Sequence, residues 1–531
     1  MRTKNSLINI FVSCLSYGII MVGSFVTRQM FANILGLEMV GIEGAFLQFV
    51  NALGIVELGL GVNIVYKLYK PIAEKDWEQV AVILKFLRKC YAVIGIVVAS
   101  LGISLAYFVV MPISKKGFSK IWLIEIFLLY VIDVVVSYLY SHKRAMFIAD
   151  QKNYINNLVH IGAQILMFVF QIAALKLFAS FEVYLICKIF FRFAENFVIS
   201  FRFGKKYNFV NLKIRKAMSN IERKDFFRNL KALFLHKIAG FGTTTVSSLI
   251  IVYYVSLREN GIYYNYMLIV SALTAVTQEI FNGVLASFGN LLNTESRKKV
   301  YGNFNILYFM NFLMYSFITT SFVCLATPFI GLWIGEHSAF NMWTTVSIAS
   351  YVYIYGMRQS IGMAKVSAGI YDEDKYLAVI GALVTFVASW ILVKPFGISG
   401  VMIGNLIGIL SITYWAQPYL VYDGIFKKSV AKYHYRFALY TALTAGYSFV
   451  SYMICSYLHF GTPIVLNLSA VFGSYLHMKP VISNMIAQIV VNGLVCVIIP
   501  NVMNVVLFCR TEEFKGLFGT AKSFFKKIMK K

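Results

Sequence analysis

The chain of 531 residues is 59% hydrophobic and only 14% charged, against roughly 45–50% and 25% in an ordinary soluble domain. With a mean hydropathy of +0.71, it lacks the charges a soluble protein of this length needs to cover its surface, so a string of about three to five soluble domains is excluded. The charge is lopsided as well, 49 Lys and Arg against 23 Asp and Glu, a formal +26; in a soluble protein that points to nucleic acid, but in a membrane protein it points to cytoplasmic loops, and no nucleic-acid partner is expected.

A helix needs about 20 apolar residues to cross a bilayer. About fourteen stretches qualify: 7–35, 42–69, 89–111, 120–141, 154–178, 182–203, 232–257, 262–292, 302–330, 342–364, 375–394, 398–420, 436–459 and 483–509. The expected fold is therefore an all-α polytopic membrane protein. Met1-Arg2-Thr3-Lys4 precedes an apolar run longer than a signal-peptide core, so the first span reads as retained. The stretch 461–480 is apolar but carries Pro463, His477, Lys479 and Pro480, which suits an interfacial or re-entrant segment.

Sorting loops alternately places 36 of the 49 Lys and Arg on one face and 7 on the other. That ratio puts both termini in the cytoplasm. The longest basic loop, 204–231, divides an amino-terminal lobe (1–203) from a carboxy-terminal lobe (232–420), with residues 421–531 supplying a last helix pair and a basic cytoplasmic tail. A faint repeat supports two lobes. Gly41-Ile42 is followed by Val50-x-Ala52-Leu53, and Gly261-Ile262 by Val270-x-Ala272-Leu273, at the same offset. The expectation is two six-helix lobes related by a pseudo-two-fold axis along the membrane normal, plus two extra carboxy-terminal helices, with a substrate path between the lobes.

An ionisable side chain at the bilayer centre costs at least about 2.5–3.5 kcal/mol, so each needs a reason to be there. The deep ones are Arg28, Glu57, Asp133, Lys188, Arg192, Glu195, Glu279 and Arg358. Arg192 and Glu195 stand i, i+3 and are placed to neutralise each other. Glu57 and Glu279 suit either a protonated, hydrogen-bonded carboxyl or ion coupling. Lys237, Arg202 and Glu125 lie near span ends and are expected to snorkel. Arg28 and Arg358 have no acid within four residues on their own helix. Arg358 shares a helical face with Tyr351, Tyr355 and Gln359, a set that suits an anionic head group bearing sugars, since a guanidinium forks onto phosphate oxygens.

Enzyme signatures are missing. The sequence has no HExxH, GxSxG or CxxC, and Gly204-Lys205 lacks the preceding glycine of a phosphate loop. The seven cysteines (Cys14, Cys90, Cys187, Cys324, Cys455, Cys496, Cys509) lie scattered in apolar stretches and read as small buried apolar residues. No cofactor, metal or catalytic residue is expected.

Several stretches together resemble the Wzx-type polysaccharide flippases of the MOP superfamily, which also holds lipid II flippases and MATE drug antiporters. They are Thr27-Arg28, Ile34-Leu35-Gly36 and Gly41; Glu57-Leu58-Gly59-Leu60-Gly61; Ala149-Asp150-Gln151-Lys152-Asn153-Tyr154-Ile155; Ser287-Phe288-Gly289-Asn290-Leu291; and Leu332-Trp333-Ile334-Gly335. The longest match runs from Met357-Arg358-Gln359 through Lys365, Ala368-Gly369-Ile370-Tyr371 and Asp374-Lys375 to Gly397-Ile398-Ser399-Gly400. The chain departs from the family at Gly381, Thr385 and Gly404-Asn405.

The resemblance implies a flippase that moves undecaprenyl-pyrophosphate-linked oligosaccharide across a bacterial cytoplasmic membrane by alternating access, for capsule, exopolysaccharide or O-antigen synthesis. It would work beside membrane lipids, a polysaccharide polymerase and chain-length proteins. Arg28, Lys188, Arg192 and Arg358, with Tyr351, Tyr355 and Gln359, would bind pyrophosphate and sugar in a cationic cavity. Glu57, Asp133, Glu195 and Glu279 would couple ions or pair with those cations. The alternative is a MATE-type antiporter for cationic drugs, which the four-to-four balance of deep charges leaves open. A membrane polymerase or ligase needs a sizeable external loop, and the outer loops here are short.

Overall fold

A computed structural model gives the fold of the protein and describes residues 2–57, 60–212, 214, 216–219, 245–370, 373–458, 463–476 and 480–519. Half of the expected linker 204–231, the start of the expected span 232–257 with Lys237, and the basic tail beyond 519 lie outside these residues. All regular structure among the described residues is helical. Nine of the described helices are long and apolar enough to cross a bilayer, and one of them, Tyr376–Phe426, contains two of the stretches read as spans. The chain divides into two compact units, Met1–Gly261 and Ile262–Lys531.

The first unit opens with α1 (Arg2–Leu35) and α2 (Leu37–Leu53). Gly36, at φ 91°, makes the bend between them, a conformation open to glycine because it has no Cβ. The stretch 42–69 is not one continuous span. A 3-10 turn at Gly54–Glu57 ends α2, and α3 (Leu60–Glu74) follows. The helix expected at 89–111 is longer, α4 (Trp77–Ser114), because the Asp76 side chain accepts from Gln79 N at 2.9 Å and caps it. After α5 (Lys120–Tyr138), the stretch read as a loop at 142–153 contains a short helix, α6 (Ser141–Ala149). Its Ala145, Met146, Phe147 and Ala149 are buried in a core with Val80, Leu84 and Leu87 of α4 and Phe203 and Tyr207. Helices α7 (Asn153–Phe178) and α8 (Phe181–Lys206) complete the bundle; α7 packs on α1 and α8, and α8 on α5.

Helix α9 (Leu257–Thr294) begins in this unit, and its start crosses α2 closely. A Cβ on Gly41 would stand 2.9 Å from the Leu257 carbonyl carbon, and one on Gly261 would stand 3.0 Å from Gly41 N. The crossing is reciprocal, glycine to the backbone four residues before the other glycine. Asn260 Nδ2 donates to Gly41 O at 2.7 Å beside it. The two glycines of the sequence repeat, Gly41 and Gly261, are thus the two halves of one helix contact of the small-residue kind.

The second unit holds most of α9, then α10 (Arg297–Trp333), α11 (Met342–Met357), α12 (Gln359–Ser367), α13 (Lys375–Gly408), α14 (Tyr414–Val421), α15 (Ala431–Tyr457), α16 (Pro463–Leu476) and α17 (Pro480–Phe508). Within α13 the chain reverses at Gly397, φ 56°. Gly400, Gly404 and Gly408 then lie against the preceding arm. Their added Cβ atoms would meet Val393 N at 2.9 Å, Ser389 Cα at 2.5 Å and Thr385 Cβ at 2.8 Å. Thr385 and Gly381, where the sequence departs from the flippase pattern, are the small residues that accept Gly408. The stretch 461–480 contains the 14-residue α16, about 21 Å long at 1.5 Å per residue and too short to cross an upright 30 Å core. Of the cysteines, Cys324, Cys455 and Cys496 are buried and Cys90 and Cys187 are partly so, but Cys509 is exposed, against the expectation that all are buried.

Candidate functional site

In the first unit the deep charges meet across helices. Arg192 donates through Nε to Asp133 Oδ1 and through Nη2 to Oδ2 at 3.2 Å. Lys188, one turn earlier on α8, places Nζ 3.3 Å from the same carboxylate and 5.2 Å from the Tyr130 ring centre. Two cations therefore share one acid. The expected Arg192–Glu195 pairing is not the one formed. Glu195 is held instead by Arg144 of α6 at 2.8 Å and by His160 Nδ1 of α7 at 3.0 Å. Arg144 also donates to Asn196 Oδ1 at 2.8 Å, and Asn196 Nδ2 donates to Val136 O at 2.8 Å, which fixes the amide. Lys143 donates to Ser200 Oγ.

Arg28 lies apart from this cluster in its pairing. It forms a salt bridge with Glu43 of α2, with both side chains under a tenth exposed. The acid missing from its own helix comes from the next one. Glu57 accepts from Tyr91 OH at 3.1 Å, and Tyr91 stacks on Tyr138.

At the cytoplasmic edge, as the loop charges read it, His142 is buried. Its pKa is pushed down to about 3 by burial first, then by Lys143 and Arg88. Burial and Arg88 also lower the Lys143 ammonium. Tyr207 donates to Asp150 Oδ2 at 2.8 Å, and Lys152 pairs with the same acid.

In the second unit Arg358 sits between α11 and α12, at a break in what the sequence presents as one helix. Tyr315 makes the break possible on one side, since its ring occupies the place of a Gly356 side chain. Asn311 Nδ2 donates to the carbonyls of Gly356 and Met357 at 3.1 and 3.0 Å. Arg358 Nη2 donates to Gln417 Oε1 at 2.9 Å. Gln417 Nε2 donates to Asp374 Oδ2 at 3.0 Å, and Lys365 reaches that oxygen at 2.6 Å. Arg358 Nε is buried with no hydrogen bond among the described residues. Tyr351 and Tyr355 stack with centroids 5.9 Å apart. Gln359 lies in a separate chain: Tyr315 OH donates to its Oε1 at 3.3 Å, and its Nε2 donates to Gln278 Oε1 at 3.3 Å. Glu279 is exposed on α9.

Glu43, Arg144, His160, Lys365, Asp374 and Gln417 are site neighbours that sequence reasoning missed. Lys365 and Asp374 fell in a stretch counted as a loop, and Arg144 in another. Among the described residues no group of three or more His, Cys, Asp or Glu is placed to hold a metal ion.

No protein-family profile matches the sequence, and no curated protein matches it either. Solved structures do match its fold. The lipid II flippase MurJ in an inward closed conformation gives a TM-score of 0.64 at 13% identity, over 94% of this chain and 99% of that one. An inward-facing multidrug resistance MATE transporter of the MOP superfamily gives 0.62 at 13% identity, over 78% and 96%. An outward-facing one gives 0.52 at 14% identity, over 78% and 95%. The chain has the all-helical fold these proteins share and is a multi-pass membrane protein.

Proposed function

We propose that this protein is a flippase for undecaprenyl-pyrophosphate-linked oligosaccharide, working by alternating access in a bacterial cytoplasmic membrane with both termini inside. The observation that carries the reading is the Lys188–Asp133–Arg192 cluster, in which one carboxylate of the apolar helix α5 is shared by two cations of α8. A lone excess charge there is costly, and an anionic cargo relieves it. Arg358 offers a second such place, because its hydrogen-bond partner is a neutral amide and its Nε is open. Guanidinium groups suit the cargo, since they fork onto diphosphate oxygens. The stacked Tyr351 and Tyr355 supply flat apolar faces beside Arg358 for sugar rings. Polysaccharide polymerase and chain-length proteins would take the product on the outer face.

The fold is equally that of multidrug MATE transporters, so export of cationic drugs is the competing reading. Two measurements separate them. Deleting the gene should make lipid-linked oligosaccharide accumulate and surface polysaccharide disappear, and Arg358→Ala should reproduce this with normal protein level in the membrane. Drug resistance conferred on a pump-deficient host, with surface polysaccharide unaffected by the deletion, would overturn the proposal.

A further inference from the structure

Four polar positions on α8 repeat one turn apart: Lys188, Arg192, Asn196 and Ser200. At 1.5 Å per residue they stand about 6 Å apart along the axis. The first two are cations. The other two each hold a cation brought by α6, Arg144 on Asn196 and Lys143 on Ser200. The short helix hidden in a loop thus extends the row of charges toward the cytoplasmic end of α8. Arg88 of α4 is exposed and follows Leu87, which shares a core with Ala145, Met146 and Phe147 of α6, and its charge acts on Lys143 and His142.

Five cations on this path face two carboxylates, Asp133 and Glu195. Asp150, a further acid at the end of α6, is taken by Lys152 and Tyr207. His142 is buried and uncharged at neutral pH. The inner cations are not sealed off: the side chains of Lys188, Arg144 and Arg192 are 18%, 24% and 28% exposed.

Each carboxylate has two partners. Asp133 is held by Lys188 and Arg192, and Glu195 by Arg144 and His160. This arrangement matters because removing the sole partner of a buried charge costs about 3–5 kcal/mol. With two partners, Lys188 or Arg192 can turn to a ligand while the other keeps Asp133 paired, and Arg144 can turn while the His160 ring stays against Glu195.

We propose that this row is a track for a diphosphate head group, which is collected at Arg88 and Lys143 and passed inward through Arg144 to Arg192 and Lys188. The proposal rests on the function proposed above and deepens it, by naming where the head group leaves the cytoplasmic surface. Charges at the rim of a site act mainly on the association rate and its salt dependence, and deep paired charges on the dissociation rate.

The test uses the full-length protein in lipid nanodiscs and stopped-flow binding of a fluorescent polyprenyl pyrophosphate, with the matching polyprenol as control. Lys143→Gln and Arg88→Gln should each slow association about threefold and flatten its dependence on salt, with dissociation unchanged. Lys143→Arg should restore the rate. Arg192→Gln should speed dissociation about tenfold or more. If the pyrophosphate binds but association is indifferent to Lys143, Arg88 and salt, the track is wrong and the function stands. If the wild type binds the pyrophosphate no better than the polyprenol, the proposed function falls and the track with it.

Discussion

Gly41→Ala tests the tightest helix crossing in the first unit. The added carbon would stand 2.9 Å from the Leu257 carbonyl carbon, where ordinary contact needs about 3.5–4.0 Å. The obstacle is backbone, and the Leu257 carbonyl oxygen is nearer still, so α2 and the start of α9 must part by about an ångström or more. Overpacking of this kind costs about 1–3 kcal/mol. The parting also stretches the buried 2.7 Å bond from Asn260 to Gly41 O, worth about 1 kcal/mol. Against this stands a gain of about 1 kcal/mol from replacing glycine in a helix. Gly162→Ala isolates that gain, because nothing lies within 4 Å of its added carbon. The two variants should therefore differ by about 2–4 kcal/mol, the sum of the first two costs. Thermal unfolding of the detergent-solubilised protein, followed by tryptophan fluorescence, measures the difference. Adding Gly261→Ala to Gly41→Ala should cost less than Gly261→Ala alone, because the helices have already separated. Equal stability of the Gly41 and Gly162 variants would refute the crossing.

Two further predictions concern side chains the sequence did not single out. His142 has a folded pKa of about 3, below the unfolded value of about 6.5; its contribution is therefore complete above pH 6.5 and lost as the pH falls from there toward 3, so His142→Leu should remove about 2 kcal/mol of the destabilisation seen between pH 7 and pH 5, and an unchanged pH profile in denaturation assays would show that the ring is not buried neutral. Gln417→Leu cuts Arg358 from Asp374 while Lys365 still satisfies the acid; surface polysaccharide should fall with protein level intact, and normal polysaccharide would show that the position of Arg358 does not matter.

What the sequence made legible was what depends on composition and period. Long apolar runs, the basic loops and the Pro395–Gly397 reversal are signals carried by the residues themselves. The repeat at Gly41 and Gly261 was visible as a pattern, although the contact between its two copies was not, because a repeat says nothing about which surfaces meet. Helix α6 was hidden because Ser141-His142-Lys143-Arg144 is polar, and its buried residues, His142, Ala145, Met146, Phe147 and Ala149, make no long apolar run. The break at Arg358 was hidden because the groups that meet it stand on another helix, Tyr315 in the place of a Gly356 side chain and Asn311 on the carbonyls of Gly356 and Met357. Ion-pair partners were the least legible. Spacing on one helix suggested Arg192 with Glu195, but each found its partner on a different helix, since side-chain direction and packing decide which charges meet.

Those partners change the meaning of the deep charges. Counting them along the sequence gave parity between cations and acids, which favours no cargo. Availability is a different quantity. Arg28 is closed on Glu43, with both side chains nearly inaccessible, and drawing it away would strand a buried carboxylate at about 3–5 kcal/mol. Lys365 is likewise committed to Asp374. Lys188 and Arg192 share one acid, so the first to leave strands nothing. Arg358 gives up a hydrogen bond to a neutral amide, worth about 1 kcal/mol. The acids show the reverse order: Asp133 and Glu195 are each held twice, while Glu57 meets a tyrosine and Glu279 is exposed. The cations that are cheap to recruit are therefore Arg358 and one of Lys188 and Arg192, and no carboxylate inside the first unit's cluster is free to receive a cationic drug without first displacing two partners.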